Sequence, residues 1–180
     1  MPADPESTES RPLGSSILFV CTGNTCRSPL AEAICKRILA DELGCDPSEL
    51  PARGYEIRSA GVAAWAGDEA SPTAVEVAHE YGADLTSHRS RPVNPELLTL
   101  ATRVIAMTQT QATALEFRFP GLGPRPELLC GDDGDLLDPI GGDLTVYRDC
   151  AEAIRYYLVR LLLETRTDNP LTDQPGADGA

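Results

Sequence analysis

The fold of this chain is decided by residues 17–29, which read ILFVCTGNTCRSP. The first four residues form a continuous apolar run of strand length, which is typical of a strand buried on both faces of a sheet. Ser28 is a favourable helix N-cap and Pro29 suits the first helical position, so a helix is expected to begin there. A tight loop must then connect the carboxyl end of the strand to the amino end of the helix.

The hydrophobic pattern beyond this stretch alternates between strands and helices. Further strands are predicted at residues 55–59, 103–107 and 127–130, the last of them short. Helices are predicted up to a stop at Gly44, from Ser71 and Pro72, from Pro95, over residues 109–117, and along the apolar spacing between Tyr147 and Leu162. This order predicts an α/β fold: a single domain whose four-stranded parallel sheet carries helices on both faces. Ligands of such a sheet bind at the carboxyl ends of its strands.

Composition excludes several classes of function. The chain has 180 residues and a formal net charge of −13, so nucleic acid and anionic membranes would be repelled. No apolar run approaches the roughly 20 residues of a membrane span, and the first residues do not resemble a secretory signal. Six cysteines are too few for a disulfide scaffold and indicate thiols in the cytoplasm.

Polar segments mark the expected ends of the domain. Residues 1–14 are predicted to be a disordered acidic N-terminal tail and residues 165–180 a disordered C-terminal tail, because both are polar and nearly free of large apolar side chains. The folded domain is therefore expected over residues 15–164. We expect it to be a monomer.

The loop after the first strand has the composition of an anion site. Gly23 and Asn24 tolerate the positive φ angles that a turn of inward-facing N–H groups requires, and the helix dipole adds to the attraction for an oxyanion. Arg27, six positions after Cys21, can hold two phosphoryl oxygens with its planar guanidinium. The same groups favour the thiolate of Cys21, and the Ser28 hydroxyl can donate to its sulfur. The predicted phosphate loop comprises Thr22, Gly23, Asn24, Thr25, Cys26, Arg27 and Ser28.

A thiolate aimed at a bound phosphorus atom is the nucleophile of a phosphatase. The segment could instead be an inert turn. Alternatively, Cys21 and Cys26 could form a redox pair or supply two zinc ligands. However, no second pair of Cys or His residues stands at ligand spacing, and His79 and His88 are isolated. We therefore predict no metal and no cofactor.

The run VCTGNTCRSP closely resembles the phosphate loop of the low-molecular-weight protein tyrosine phosphatases. The likeness extends over roughly residues 16 to 164 and includes three further segments: RSAG at 58–61, AMT at 106–108 and DPIGG at 138–142. Membership would imply a phosphocysteine intermediate on Cys21 and phosphorylated proteins as substrates.

The resemblance also assigns roles to other residues. Asp138 would protonate the leaving group and then activate water, although the alternative is a loop acid that only solvates. Ser59 and His88 would support the strained Asn24, although His88 also suits a capping or surface position. Cys26 would form a reversible disulfide with Cys21, or else simply fill a small buried space.

Substrate preference depends on the pocket residues Thr25, Trp65 and Ile140. Members that act on phosphotyrosine commonly carry a bulky aliphatic residue at the position of Thr25 and aromatic residues after the Asp-Pro pair. Thr25 and Ile140 depart from that pattern and look like the protein arginine phosphatase branch. Trp65 resembles an aromatic pocket wall, but an indole can also stack on a guanidinium or merely anchor a loop. We predict phosphoarginine, with phosphotyrosine as the alternative.

Two other classes of function are less favoured. A thiol-dependent arsenate reductase needs a further pair of resolving cysteines near the site, and Cys35, Cys45, Cys130 and Cys150 are scattered over other elements. A non-catalytic phosphoprotein-binding module would be expected to lack Cys21, Arg27 or Asp138, and all three are present.

Overall fold

The computed structural model describes residues 16–167. Its sheet has four parallel strands in the order β2-β1-β3-β4, which confirms the predicted α/β architecture. The strands are β1 (Ser16–Cys21), β2 (Glu56–Gly61), β3 (Arg103–Ala106) and β4 (Glu127–Leu128). Every residue of β1 is buried, because β1 pairs with a neighbour along each edge and is covered on each face.

Helices cover both faces of the sheet, as predicted. They are α1 (Arg27–Leu43), α2 (Pro72–Glu80), α3 (Pro95–Leu100), α4 (Gln109–Arg118) and α5 (Leu144–Thr167). Alternate residues of β1 serve the two faces: Ile17 and Phe19 pack in the core with α1, α2 and α5, whereas Leu18 and Val20 pack with α3 and α4. The sheet's carboxyl edge, where Cys21 lies, is thereby held between two packed layers.

The predicted helix signals are confirmed at two places. Ser71 caps α2 by accepting a hydrogen bond from the N–H of Ala74 at 3.2 Å, with Pro72 at the first helical position. Gly44 ends α1 in the left-handed conformation with φ 61°.

The predicted start of α1 is wrong. The helix begins at Arg27 with Cys26 as the N-cap, so Ser28 and Pro29 lie within its first turn rather than at its boundary. Proline is tolerated there because the first N–H groups of a helix have no intrahelical acceptor. The Ser28 hydroxyl is consequently available to the loop instead of capping the helix.

Two strand boundaries also differ from the sequence prediction. Strand β2 extends to Gly61 instead of ending at Ser59, because its pairing with β1 continues to Cys21. Strand β4 contains only two residues, since the chain turns into a short 3-10 helix at Gly131–Asp133.

At its C-terminal end, the chain is helical beyond the expected domain boundary. Helix α5 runs to Thr167, so the expected boundary at residue 164 falls within its last turn. The predicted tail 1–14, and the predicted C-terminal tail beyond Thr167, lie outside the described residues. Among the residues described, no helix is both long and apolar enough to span a membrane.

Candidate active site

Cys21 is the last residue of β1, and its buried sulfur lies beneath the loop that follows. The backbone N–H of Asn24 donates to Cys21 Sγ at 3.2 Å, and Ser28 Oγ lies 3.0 Å from the same sulfur. Ser28 has one proton to donate, with Cys21 Sγ and the carbonyl oxygen of Ala60 in reach. When Cys21 is a thiolate, only Ser28 can donate in that pair. Both contacts then stabilise negative charge on the sulfur.

Asn24 is the residue around which the loop is built. It is fully buried, and its φ of 56° is the only positive φ of a non-glycine residue within 16–167. Its Nδ2 donates to Ser28 Oγ and Ser59 Oγ, both at 2.9 Å. Its Oδ1 accepts from the backbone N–H of Arg91, also at 2.9 Å. These three bonds hold Asn24 in a left-handed backbone conformation that residues other than glycine rarely adopt.

A second layer of contacts supports Asn24. His88 Nε2 lies 2.8 Å from the Asn24 carbonyl oxygen, so both predicted support residues, Ser59 and His88, touch this residue. Ser59 Oγ in turn donates to Glu32 Oε2 at 2.5 Å, and Lys36 Nζ donates to Glu32 Oε1 at 2.5 Å. Because Ser59 gives its own proton to Glu32, it meets Asn24 as an acceptor.

Sequence reasoning missed two members of this network, Glu32 and Arg91. Glu32 stands four residues after Ser28 on α1, an interval that places both side chains on one helix face. The available signal was an acidic residue at this helical spacing from Ser28. Arg91 had none, because it reaches Asn24 through its main chain.

Gly61 shapes the other side of the loop. A Cβ atom at this position would lie 2.5 Å from the Thr22 carbonyl oxygen and 2.8 Å from the Ala64 Cβ. The exposed Thr22 is held by the Gln111 Nε2, which donates to its Oγ1 at 3.1 Å. Strand β2 and helix α4 thus position the loop from opposite sides.

The structure brings Arg27 and Asp138 together, although 111 residues separate them in the chain. Arg27 is buried, and its Nη1 donates to the Leu136 carbonyl oxygen at 3.1 Å while Nη2 donates to Asp138 Oδ2 at 2.7 Å. Asp138 keeps 43% of its side chain exposed. The segment around Asp138 is therefore anchored to the first turn of α1, next to the loop that follows β1, while the Asp138 carboxylate still faces solvent.

Cys26 lies in a small polar cluster between α1, α2 and α5. Its sulfur is 3.2 Å from the Tyr147 hydroxyl and 3.4 Å from Ser71 Oγ, and Ser71 Oγ donates to Tyr147 at 3.2 Å. The pKa of Tyr147 is raised to about 12, mainly by burial and in addition by the hydrogen bond with Cys26. Tyr147 therefore keeps its proton at neutral pH. Cys26 thus sits beside hydroxyl groups and is not merely filling apolar space.

The three predicted pocket residues differ in their surroundings. Thr25 is half-buried in the loop between β1 and α1, and its carbonyl oxygen accepts from the N–H of Ser71 at 2.9 Å. Trp65 is 81% exposed and Ile140 is 68% exposed. Trp65 is tied to the fold through its backbone, whose carbonyl oxygen accepts from Ser90 Oγ at 2.5 Å. Both large side chains are thus free to contact a ligand at the surface.

Metal-binding side chains do not gather at this site. Throughout residues 16–167, no three His, Cys, Asp or Glu side chains are grouped so that they could hold a metal ion. The groups around Cys21 are hydroxyl, amide and guanidinium donors, which suit an oxyanion.

Comparison with known proteins places this geometry in context. The model of the family described as "Low molecular weight phosphotyrosine protein phosphatase" matches residues 16–170. The protein-arginine-phosphatases of Geobacillus stearothermophilus and Bacillus subtilis (strain 168) are 38% and 35% identical to the chain. Each alignment covers 84% of this chain and 97% of the relative. Among solved structures, a cysteine-to-serine mutant of YwlE arginine phosphatase with a phosphorylated active-site serine matches with a TM-score of 0.75. It is 34% identical, over 86% of this chain and 98% of that chain.

Proposed function

Because the chain belongs to the low molecular weight phosphotyrosine protein phosphatase family and is a cysteine-dependent phosphatase, we propose that Cys21 is its nucleophile and phosphoarginine its preferred substrate. Phosphorylated proteins are the substrate class that the family implies. The single observation that carries the nucleophile assignment is the pair of contacts to Cys21 Sγ, from the Asn24 N–H and the Ser28 hydroxyl. A relative with a phosphorylated serine in place of its active-site cysteine supports the same chemistry.

The phosphate loop supplies the binding energy for the phosphoryl group. Helix α1 has no side-chain cap, so its first N–H groups are directed at the loop, where the helix dipole favours an anion. The Arg27 guanidinium offers two parallel donors to phosphoryl oxygens and to the charge that develops during transfer. Together these groups hold the phosphorus atom in front of Cys21 Sγ.

The reaction proceeds in two steps. Cys21 Sγ forms a bond to phosphorus while the bond from phosphorus to the leaving nitrogen or oxygen breaks, and that atom takes a proton from Asp138. Water then attacks the phosphocysteine, gives its proton to Asp138, and releases inorganic phosphate and the thiolate. The Asp138 carboxylate reaches the loop through its contact with Arg27, at 2.7 Å.

Phosphoarginine is favoured by the walls of the pocket. Thr25 is small and polar, and Ile140 is the exposed side chain that follows the Asp-Pro pair, so no aromatic ring stands there to sandwich a phenyl group. The acidic groups of the Asp138 loop suit a cationic guanidinium, and Trp65 offers it an exposed ring face. Two relatives named protein-arginine-phosphatase support this choice. The family description keeps phosphotyrosine as the second candidate.

The decisive experiment compares turnover of a phosphoarginine peptide and a phosphotyrosine peptide of the same sequence. We expect the wild type to prefer phosphoarginine, Thr25→Ile to shift the ratio of kcat/KM toward phosphotyrosine, and Cys21→Ser to abolish both activities. Equal ratios in wild type and Thr25→Ile would contradict the role of Thr25. Activity surviving in Cys21→Ser would contradict the nucleophile.

The role of Asp138 is tested separately. Asp138→Asn removes the proton donor, so we expect kcat to fall by about 10²- to 10⁴-fold on the phosphoarginine peptide. Leu137→Ala changes the neighbouring exposed side chain and is the matched control. An unchanged kcat in Asp138→Asn would refute the acid–base role.

We also propose that this enzyme works as a monomer in the cytoplasm, without nucleic acid, membrane or metal partners. Six cysteines in 180 residues are too few for a disulfide scaffold, which supports a reducing compartment. The net charge of −13 disfavours polyanions. Sedimentation at micromolar concentration would test the monomer.

A further inference from the structure

A second site of positive charge lies behind the phosphate loop. A surface cavity of about 270 Å³ is bordered by Glu32 and Lys36 of α1, by Tyr55, by Arg58 of β2 and by Arg91. Glu56 borders it too, so three cationic side chains face two carboxylates, in a chain whose formal net charge is −13.

The charges of this cavity are paired with one exception. Lys36 Nζ donates to Glu32 at 2.5 Å, and Arg58 Nη2 donates to Glu56 at 3.1 Å. The remaining Glu32 oxygen accepts from Ser59 Oγ. Both carboxylates are thus already engaged. The Arg91 guanidinium is left without a carboxylate, and its buried Nε has no hydrogen-bond partner in the part of the chain that the structure describes.

An unpaired buried N–H group is costly, and an arginine fork matches an oxyanion through two parallel hydrogen bonds. The cavity has room for such an ion, because a water molecule occupies only about 30 Å³ of the liquid. We propose that this cavity is a second oxyanion site, in which the Arg91 guanidinium binds phosphate and the neighbouring Lys36 and Arg58 add positive charge.

The main chain of Arg91 connects this cavity to the active site. Its N–H donates to Asn24 Oδ1 at 2.9 Å, and its carbonyl oxygen accepts from the N–H of Gly61 at 3.0 Å. Glu32, on the other wall, reaches Asn24 through Ser59. Phosphate bound in the cavity is therefore expected to change the environment of Asn24. Inorganic phosphate, the product of the reaction, would then act on the active-site loop through this second site.

The test is a titration with inorganic phosphate. Binding is monitored by NMR through the Arg91 Nε–Hε signal of ¹⁵N-labelled protein. It uses the Arg27→Ala variant, in which the active site has lost its own guanidinium, so the result does not depend on catalysis. We expect a saturable shift of the Arg91 signal that sodium chloride at equal ionic strength does not reproduce. The Asn24 Nδ2 signals should move with the same midpoint.

Arg91→Lys, made in the same background, keeps the charge but removes Nε and the planar fork. Because this variant has no Arg91 Nε–Hε signal, its binding is followed at the Asn24 Nδ2 signals, and we expect their midpoint to rise by about tenfold or more. The control is Arg125→Lys. Arg125 is exposed and does not border this cavity, so the substitution should leave the titration unchanged. If Arg27→Ala does not fold, the wild type is titrated instead. Its Asn24 Nδ2 signals should then show two midpoints, one for the active site and one for this cavity, and Arg91→Lys should shift only the second. A linear drift matched by chloride, or unchanged binding in Arg91→Lys, would overturn the proposal.

Discussion

Asn24→Ala is expected to destabilise the protein by about 4 kcal/mol. The substitution removes three side-chain hydrogen bonds, to Ser28, Ser59 and the Arg91 N–H, each worth about 1 kcal/mol. Alanine must also adopt φ near 56°, a left-handed conformation that costs about 1 kcal/mol more than for asparagine or glycine.

Asn24→Gly separates the two contributions. Glycine loses the same three bonds but adopts positive φ freely, so we expect a loss of about 3 kcal/mol, roughly 1 kcal/mol less than for alanine. Urea unfolding of both variants, with equal m-values, measures the difference directly. Thr25→Ala is the control: its half-buried side chain makes only a 3.8 Å contact with Cys26 Sγ, and we expect less than about 1 kcal/mol. Equal losses for alanine and glycine would refute the role of backbone conformation, and losses below about 1 kcal/mol for both would refute the role of the amide.

Two further substitutions test the supporting structure. Gly61→Ala places a methyl group 2.5 Å from the Thr22 carbonyl oxygen and should lower stability by about 1–3 kcal/mol in thermal unfolding, whereas Gly67→Ala meets no atom within 4 Å and loses only what its φ of 98° costs. Burial raises the pKa of Cys35 from 9.0 to about 12, so its thiol ionises in the unfolded chain before it does in the folded one. Stability should therefore fall as pH rises from about 9 toward 12. Cys35→Ala should show a shallower decline, and an identical pH dependence would contradict the assignment.

The sequence was informative wherever the relevant signal was local. The apolar run before Cys21, the cap at Ser71 and the stop at Gly44 each depend on a few consecutive residues, and the structure has strands and helices at all three places. The loop composition also indicated an anion site, because glycine, asparagine and arginine have distinct conformational or hydrogen-bonding roles there.

Local signals failed where an alternative contact competed for the same group. Ser28 is a residue type that favours the N-cap position, yet its hydroxyl contacts Cys21 and Asn24, and the helix starts two residues earlier than predicted. The short β4 likewise ends where the chain turns away from the sheet, which its apolar residues did not indicate.

By itself, the sequence determined the order of strands and helices along the chain, the position of the loop between β1 and α1, and the residue types that this loop carries. Only the tertiary structure decided which distant residues meet: Asp138 with Arg27, Glu32 with Ser59, and the main chain of Arg91 with Asn24. The reason is physical. Helix and strand periodicities arise between neighbours along the chain, whereas these contacts depend on how parallel strands bring their carboxyl ends to one edge.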